Sequence, residues 1–441
     1  MFSPHPCGLR LARRPLLAAG LLVAILAASA PAAAQTETEL VDKVAPESAT
    51  TAGEAGVRLQ KPKEMHFFQP KLTGHFRTYD LQRDDNSQES QHTWAAGGWL
   101  GVETQRWWNL VSGGATAYGS FPLQTQGAGD PTLLVAPDGG SLAVIGEAYV
   151  DISRDNFSAR LYRQRLSAPY LNDQDTRMIP NTFEAYTLGY NAKYADVGGG
   201  HVTRIKTRNS DAFVPMAEVA GATGASTGVT VIGARLPPLY PYQVSAILMH
   251  NWDVFSTFYS EANWDWKHVD GLDARLGAQF TSQRSVGQEL IGSFSTWTSG
   301  LKASGGYRGG VLTLAGTVTG EGAAIRSPFG LKPSYNTLML FDYDRAGERS
   351  MRIGFSDRLD WTGVEGLSFV LNYAQGVGAR ALPNGVDLPR RSEADFTLDY
   401  RPKEGGPSGL WLRLRFADGR DGDTRIQELR LILNYEVGAG G

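Results

Sequence analysis

From Lys71 onward, apolar and polar residues alternate in segments of about ten that recur to the end of the chain. In Leu410 to Phe416 (LWLRLRF), Leu410, Leu412, Leu414 and Phe416 fall on one face of a strand. Trp411, Arg413 and Arg415 fall on the other. Gln427 to Val437 (QELRLILNYEV) repeats the pattern, as do Leu272 to Phe280, Trp297 to Tyr307 and Leu367 to Tyr373. No helical period of 3.6 persists, and no run of 18 apolar residues follows the first segment of the chain, which excludes transmembrane helices. One face of each strand wants oil and the other carries charge. A soluble sandwich alternates too, so the number of segments decides.

About 18 such segments can be placed, starting near residues 71, 91, 109, 141, 156, 183, 195, 227, 242, 255, 271, 296, 310, 350, 366, 391, 408 and 427. Short connections (154–156, the Asp196 region, 267–271, 308–310, 362–366, 403–406) alternate with long ones (122–140, 167–182, 207–226, 322–349, 377–390). Short turns at one end and long loops at the other predict an all-β chain: a closed antiparallel transmembrane β-barrel of about 18 strands. Closure satisfies every strand's backbone groups in lipid, and a barrel of that size encloses an aqueous lumen. Trp107, Trp108, Trp264, Trp266, Trp361 and Trp411 lie at segment ends or beside turns, where an interfacial girdle belongs.

The start of the chain reads differently. Arg10, Arg13 and Arg14 precede an apolar run from Leu16 to Ala28, and Ala32-Ala33-Ala34 follows. That is the form of a secretory signal peptide over residues 1–34. Residues 35–66 are polar, acidic and poor in aromatics, which predicts a flexible periplasmic extension before a barrel domain at 67–441. Cys7 is the only cysteine of the 441 residues, which excludes disulfide scaffolds, cysteine-based zinc sites and cysteine nucleophiles. Three of the 42 basic residues and none of the 45 acidic ones lie in the leader, leaving 39 against 45. That balance gives no nucleic-acid signal. No cofactor or metal motif is present.

The bases are lopsided, with 32 Arg to 10 Lys. An arginine fork grips carboxylates bidentately, so a series on neighbouring strands would step an anion through a lumen. The polar faces carry Arg77, Arg160, Arg275, Lys302, Arg352, Arg358, Arg413, Arg415 and Arg430, alongside Glu147, Asp151, Glu261, Asp265, Asp273, Glu393, Asp395 and Glu428. In Ser158 to Arg165 (SARLYRQR), Arg160 shares a face with Tyr162, while Arg163 and Arg165 lie on the other; a bulge would bring both sets toward the lumen. The loop from Ser167 to Thr182 is too long for a tight hairpin and is stiffened by Pro169 and Pro180. It offers Asn172, Asp173, Asp175 and Arg177 for polar contacts, and Tyr170, Leu171, Met178 and Ile179 to pack it inward. The Arg177 guanidinium has two readings, holding a solute carboxylate or tying the loop to Asp173 or Asp175.

Arg163 to Ala185 (RQRLSAPYLNDQDTRMIPNTFEA) resembles the third loop and flanking strands of the OprD family of substrate-specific outer-membrane porins. Ser327 to Ser350 (SPFGLKPSYNTLMLFDYDRAGERS) is similar to its seventh loop, and His75 to Asp84 and Ile205 to Asp211 fit as well. The resemblance implies a monomeric or weakly trimeric barrel in the outer membrane of a Gram-negative bacterium, in contact with lipid and lipopolysaccharide and delivered by the barrel assembly machinery. It implies that the third and seventh loops fold inward, bringing Tyr335, Asn336, Asp342 and Arg345 to the narrowest point. It also implies passive uptake of small carboxylates, such as amino acids or aromatic acids. The chain departs from the family in ending on Gly438-Ala439-Gly440-Gly441 rather than on an aromatic residue.

Two other readings remain open from the residues: a non-selective diffusion porin, and an adhesin or structural barrel with a plugged interior. An enzyme is disfavoured. The HExxH motif is absent, and His250 near Asp253 and Ser256 makes a triad by composition only.

Overall fold

The computed structural model describes residues 70–86, 90–126, 129–236, 241–267, 272–402 and 409–437. They belong to the second of two compact units, Glu39–Gly441; the first, Met1–Thr38, lies outside the described residues. The leader at 1–34, the extension at 35–66 and the four C-terminal residues also fall outside them.

Eighteen strands form the wall. The first six are β1 (Lys71–Asp85), β2 (Gln91–Glu103), β3 (Val111–Gln126), β4 (Leu142–Arg154), β5 (Phe157–Gln164) and β6 (Thr182–Asn191). The next six are β7 (Asp196–Lys206), β8 (Val229–Arg235), β9 (Tyr242–Asn251), β10 (Phe255–Lys267), β11 (Leu272–Ser285) and β12 (Ser295–Tyr307). The last six are β13 (Gly310–Thr319), β14 (Arg349–Asp357), β15 (Leu367–Val377), β16 (Arg391–Tyr400), β17 (Leu410–Asp421) and β18 (Thr424–Val437). Each begins within three residues of its sequence expectation. Every sequential pair is antiparallel, and β1 pairs with β18 from Gly74↔Val437 to Asp85↔Ile426, so the sheet closes on itself.

The wall is inside out relative to a soluble protein. In β14, Met351, Ile353 and Phe355 are 67%, 48% and 41% exposed, whereas Arg352 between them is 5% exposed. In β17, Leu412 and Phe416 face out while Arg413 and Arg415 are buried inside. A cation on the outer face near the bilayer midplane would cost about 2–4 kcal/mol, which fixes this register. Trp107, Trp108 and Trp361 project from short turns, and Trp264 and Trp266 from the outer face of β10. Trp411 departs from the expected girdle. It shares the inner face with Arg413, and its Nε1 donates to Asp399 at 3.0 Å.

The two rims are less regular than alternating lengths suggest. The long-loop rim also carries tight connections, at Trp252–Val254 between β9 and β10 and Gly422–Asp423 between β17 and β18. The apolar cores lie within the loops that turn inward. One joins Tyr170, Leu171 and Phe329 to Phe183, Val202, Val231 and Phe255 of the wall. A second packs Met178 and Ile179 against Leu134 and Val135 of the loop before β4, and against Tyr79 and Leu81.

Candidate functional site: a lumen narrowed by two joined loops

The segment between β5 and β6 (loop 3) and the segment between β13 and β14 (loop 7) cross the lumen. Tyr170 reaches the far wall, its hydroxyl 2.8 Å from Thr281 Oγ1 of β11. Asn172 clasps the other loop, with Oδ1 accepting from Leu331 N at 2.8 Å and Nδ2 donating to Leu331 O at 2.9 Å. A parallel bridge between Leu171 and Phe329 completes the junction. Asp173 accepts from Arg165, and Asp175 from Arg77 Nη1 at 2.6 Å. Arg77 Nε also donates to Asn434 Oδ1 at 2.6 Å, and its Nη1 donates to the Arg177 carbonyl.

Arg177 does not tie the loop to Asp173 or Asp175. Its Nε donates to the Thr132 carbonyl at 2.7 Å and its Nη1 to the Thr176 carbonyl at 2.9 Å. Both aspartates are already taken by Arg165 and Arg77.

Loop 7 spans the opposite side. Tyr335 donates to Glu261 at 3.0 Å, and Asn336 Nδ2 to Ser350 Oγ at 2.7 Å. Lys332 bridges Asp342 and Asp344, and Arg345 meets Glu348 at 2.8 Å and Asp421 at 3.3 Å. The tip, Met339 to Phe341, gives its backbone N–H groups to the wall: Leu340 and Phe341 to Glu393 at 2.8 and 2.9 Å, Met339 to Asp395 at 3.3 Å. Wall glycines make room for these approaches. A Cβ at Gly277 would lie 2.7 Å from the Tyr335 hydroxyl, and one at Gly419 would lie 2.7 Å from Leu340 Cδ1.

The arginines of the inner face are mostly paired across strands. Arg160 meets Asp151 at 2.8 Å, Arg275 meets Asp265 and Arg413 meets Asp399 at 2.6 Å, while Arg430 meets Glu428 of its own strand. Arg415 Nε contacts Thr397 Oγ1 at 3.3 Å, and the Lys302 ammonium lies 4.7 Å from the centre of the Tyr335 ring. Two candidates lie off this face. Arg358 follows the end of β14 in a short turn, where it pairs with Asp360 at 3.1 Å. Arg163 is in register with Glu184, on the side that carries the exposed Tyr186 and Leu188; it pairs with Glu184 at 3.1 Å and stacks on Phe213. Tyr162, with φ 83°, interrupts the alternation there without turning Arg163 inward.

Several participants were not singled out from the sequence. Arg83 shares Glu428 with Arg430. Arg208 Nη1 donates to Thr176 Oγ1 at 2.5 Å, and Lys206 Nζ to the Pro180 carbonyl at 2.7 Å. Lys206 and Arg208 stand within Ile205 to Asp211, where two bases beside an inward-folding loop were the available signal. Beneath loop 3 lies a cavity of about 630 Å³, lined by Trp99, Tyr149, Glu147, Arg160, Arg165 and Asp173 among others. The triad does not assemble: Ser256 Oγ donates to Met249 O, and Asp253 accepts from Gln288 N.

The loop aspartates titrate apart. Burial raises Asp173 above the ordinary carboxylate range despite Arg165. Asp175, half-buried, also loses hydration, but Arg77 and Arg165 outweigh that and lower it. On acidification Asp173 therefore protonates first and uncovers the Arg165 charge, while the Asp175–Arg77 tie persists to lower pH. Reversal potentials in a salt gradient should show anion preference rising as pH falls through and somewhat above the usual carboxylate range. Asp173→Asn should already show the raised preference at neutral pH and lose that step.

A closed barrel with an apolar exterior and a charged interior is built for lipid outside and water within, the arrangement of an outer-membrane channel. The family model described as outer membrane porin, OprD family, matches residues 159–439, and the chain belongs to that family. It is therefore a substrate-specific porin of the Gram-negative outer membrane, a channel and not an enzyme. Porin D of Pseudomonas aeruginosa is 24% identical over 406 residues, covering 82% of this chain and 89% of that relative. The fold matches OpdK of Pseudomonas aeruginosa, solved with vanillate (TM-score 0.75, 19% identity, 83% of this chain and 98% of that one). It also matches OccK9 (OpdG) of the same organism (0.76, 21%, 83% and 98%) and a BenF-like porin of Pseudomonas fluorescens Pf-5 (0.75, 15%, 83% and 98%).

Proposed function

We propose that this porin passes small carboxylate-bearing solutes by passive diffusion, and that loops 3 and 7 set the choice. The observation that carries this reading is an excess of guanidinium groups where loop 3 meets β1 and β18. Arg83 and Arg430 share one carboxylate, Glu428. Arg177 has burial and then the charge of Arg430 acting against its cation, and Arg208 has burial and then Arg177 and Arg430. A solute carboxylate entering this cluster would relieve the repulsion that acts on Arg177 and Arg208. The cavity beneath adds both charge signs and the rings of Trp99 and Tyr149, which suits an amino acid or an aromatic acid.

Residues 1–34 would serve as the export signal, with 35–66 as a periplasmic extension. Assembly machinery would insert the barrel beside lipopolysaccharide as a monomer or weak trimer.

The purified protein should give discrete conductance steps in a planar bilayer, and liposome swelling should run faster with small carboxylates than with size-matched neutral sugars. Conductance with equal swelling rates would support a non-selective pore. A folded, heat-modifiable barrel with no steps would support the structural reading.

A further inference from the structure

Arg352 is the inner-face arginine that the arrangement above leaves unexplained. It is 5% exposed, and its Nε and Nη1 are buried without a hydrogen-bond partner. It projects from the inner face of β14 two residues from Ser350, which Asn336 of loop 7 covers. Its register partner across the sheet is Ala374, which lies in a cluster with Leu338, Phe341 and Tyr343 of the same loop. Loop 7 thus roofs a cation with two unmatched donors. The roof is itself incompletely bonded: Asn336 Oδ1 and Thr337 Oγ1 are also buried without partners. Leaving buried polar groups unpaired is costly, and the cost is recovered when the groups reach water or a ligand.

What holds the roof down is the set of backbone N–H bonds from Met339, Leu340 and Phe341 to Asp395 and Glu393. We propose that the Met339–Phe341 tip is a latched gate and that Arg352 beneath it is a concealed binding site for a small anion, chloride or a carboxylate, exposed when the latch opens. Opening exchanges the tip's bonds for water and gives Arg352 its missing acceptors, so anions in the lumen favour the open state. The proposal rests on the chain being a channel and not on which solute it prefers.

The test uses the full-length channel in planar bilayers with potassium chloride. Leu340→Cys with Gly419→Cys places two thiols where a Cβ at 419 would lie 2.7 Å from the Leu340 side chain. Cys7 is the only native cysteine, so no other thiol competes within the barrel. Under reduction the channel should visit two conductance levels, the upper one more anion-selective; oxidation should leave the lower level alone. Glu393→Gln with Asp395→Asn leaves one accepting oxygen where Glu393 offers two to Leu340 and Phe341, weakens the acceptor of Met339, and should raise occupancy of the upper level. Arg352→Gln should remove the extra anion selectivity of the upper level.

One level distribution in both redox states would overturn the gate. Two levels whose anion selectivity is the same in the parent channel and in Arg352→Gln would overturn the anion site. If the carboxylate variants do not fold, the redox comparison on a single folded sample still decides.

Discussion

Replacing residues 170–179 with a short Gly-Ser linker should raise single-channel conductance several-fold and erase discrimination between carboxylates and neutral sugars. That segment carries Tyr170, which reaches Thr281, and Asn172, which holds loop 7 through Leu331. It also carries Asp173 and Asp175, which fasten Arg165 and Arg77. Removal takes out one side of the narrowing and frees two guanidinium groups at once. Anion preference should rise while selectivity among anions falls, because charge remains and shape is lost. Loop 7 should also loosen, since its junction with loop 3 is gone. Reversal potentials and swelling rates on the same sample check both halves, and unchanged conductance in a folded variant would place the constriction elsewhere.

Arg77→Met is the point substitution with the largest expected effect. The guanidinium joins Asp175, Asn434 and the Arg177 carbonyl, tying β1, β18 and loop 3 at one place. Its loss leaves the half-buried Asp175 carboxylate without its main counter-ion, at a cost below the ~3–5 kcal/mol of breaking a fully buried pair. The cost falls on the attachment of loop 3 more than on the strands, whose ladder bonds are untouched. Limited proteolysis within 170–181 and a noisier open level should therefore precede any loss of heat-modifiable barrel. Arg77→Lys keeps the charge but not the fork, and should recover part of the attachment. Equal protease resistance in Arg77→Met and the parent would show that loop 3 is held by its apolar contacts alone.

The wall was readable because lipid imposes a strict rule on each strand. Arg413 and Arg415 alternate with Leu412, Leu414 and Phe416, and one register satisfies them all. The reading failed where that rule lapses. Counting by twos places Arg163 off the Arg160 face, where it stands, but no bulge turns it inward; Tyr162, with its positive φ, is exposed instead. Arg358 lies past the last residue of its strand, where alternation has no meaning. Trp411 reads as a girdle residue by its position near a turn, yet Asp399 and Arg413 hold it on the inner face.

The pairings were legible only in kind. Arg77 and Asp175 lie 98 residues apart, and which acid meets which arginine depends on how a loop descends. The role of the loop before β4 was hidden for the same reason: Leu134 and Val135 are buried against Met178 and Ile179 of another loop. Arg83 and Arg208 gain their place only when loop 3 has brought Arg177 beside Arg430.

The cross-strand ion pairs bear on how such a channel changes its diet over evolutionary time. A lumen built from ready-made cations, each masked by one acid, does not have to acquire a new base to accept a new anion. A single exchange at the half-buried acid, Asp399 to Asn opposite Arg413 for example, unmasks a guanidinium already seated on a rigid strand. The outer face, the strand register and the assembly of the barrel are untouched by that exchange. New specificities are then one mutational step away at many points along the wall, and reversion is equally short, so a lineage can sample solutes without first passing through a barrel that fails to fold.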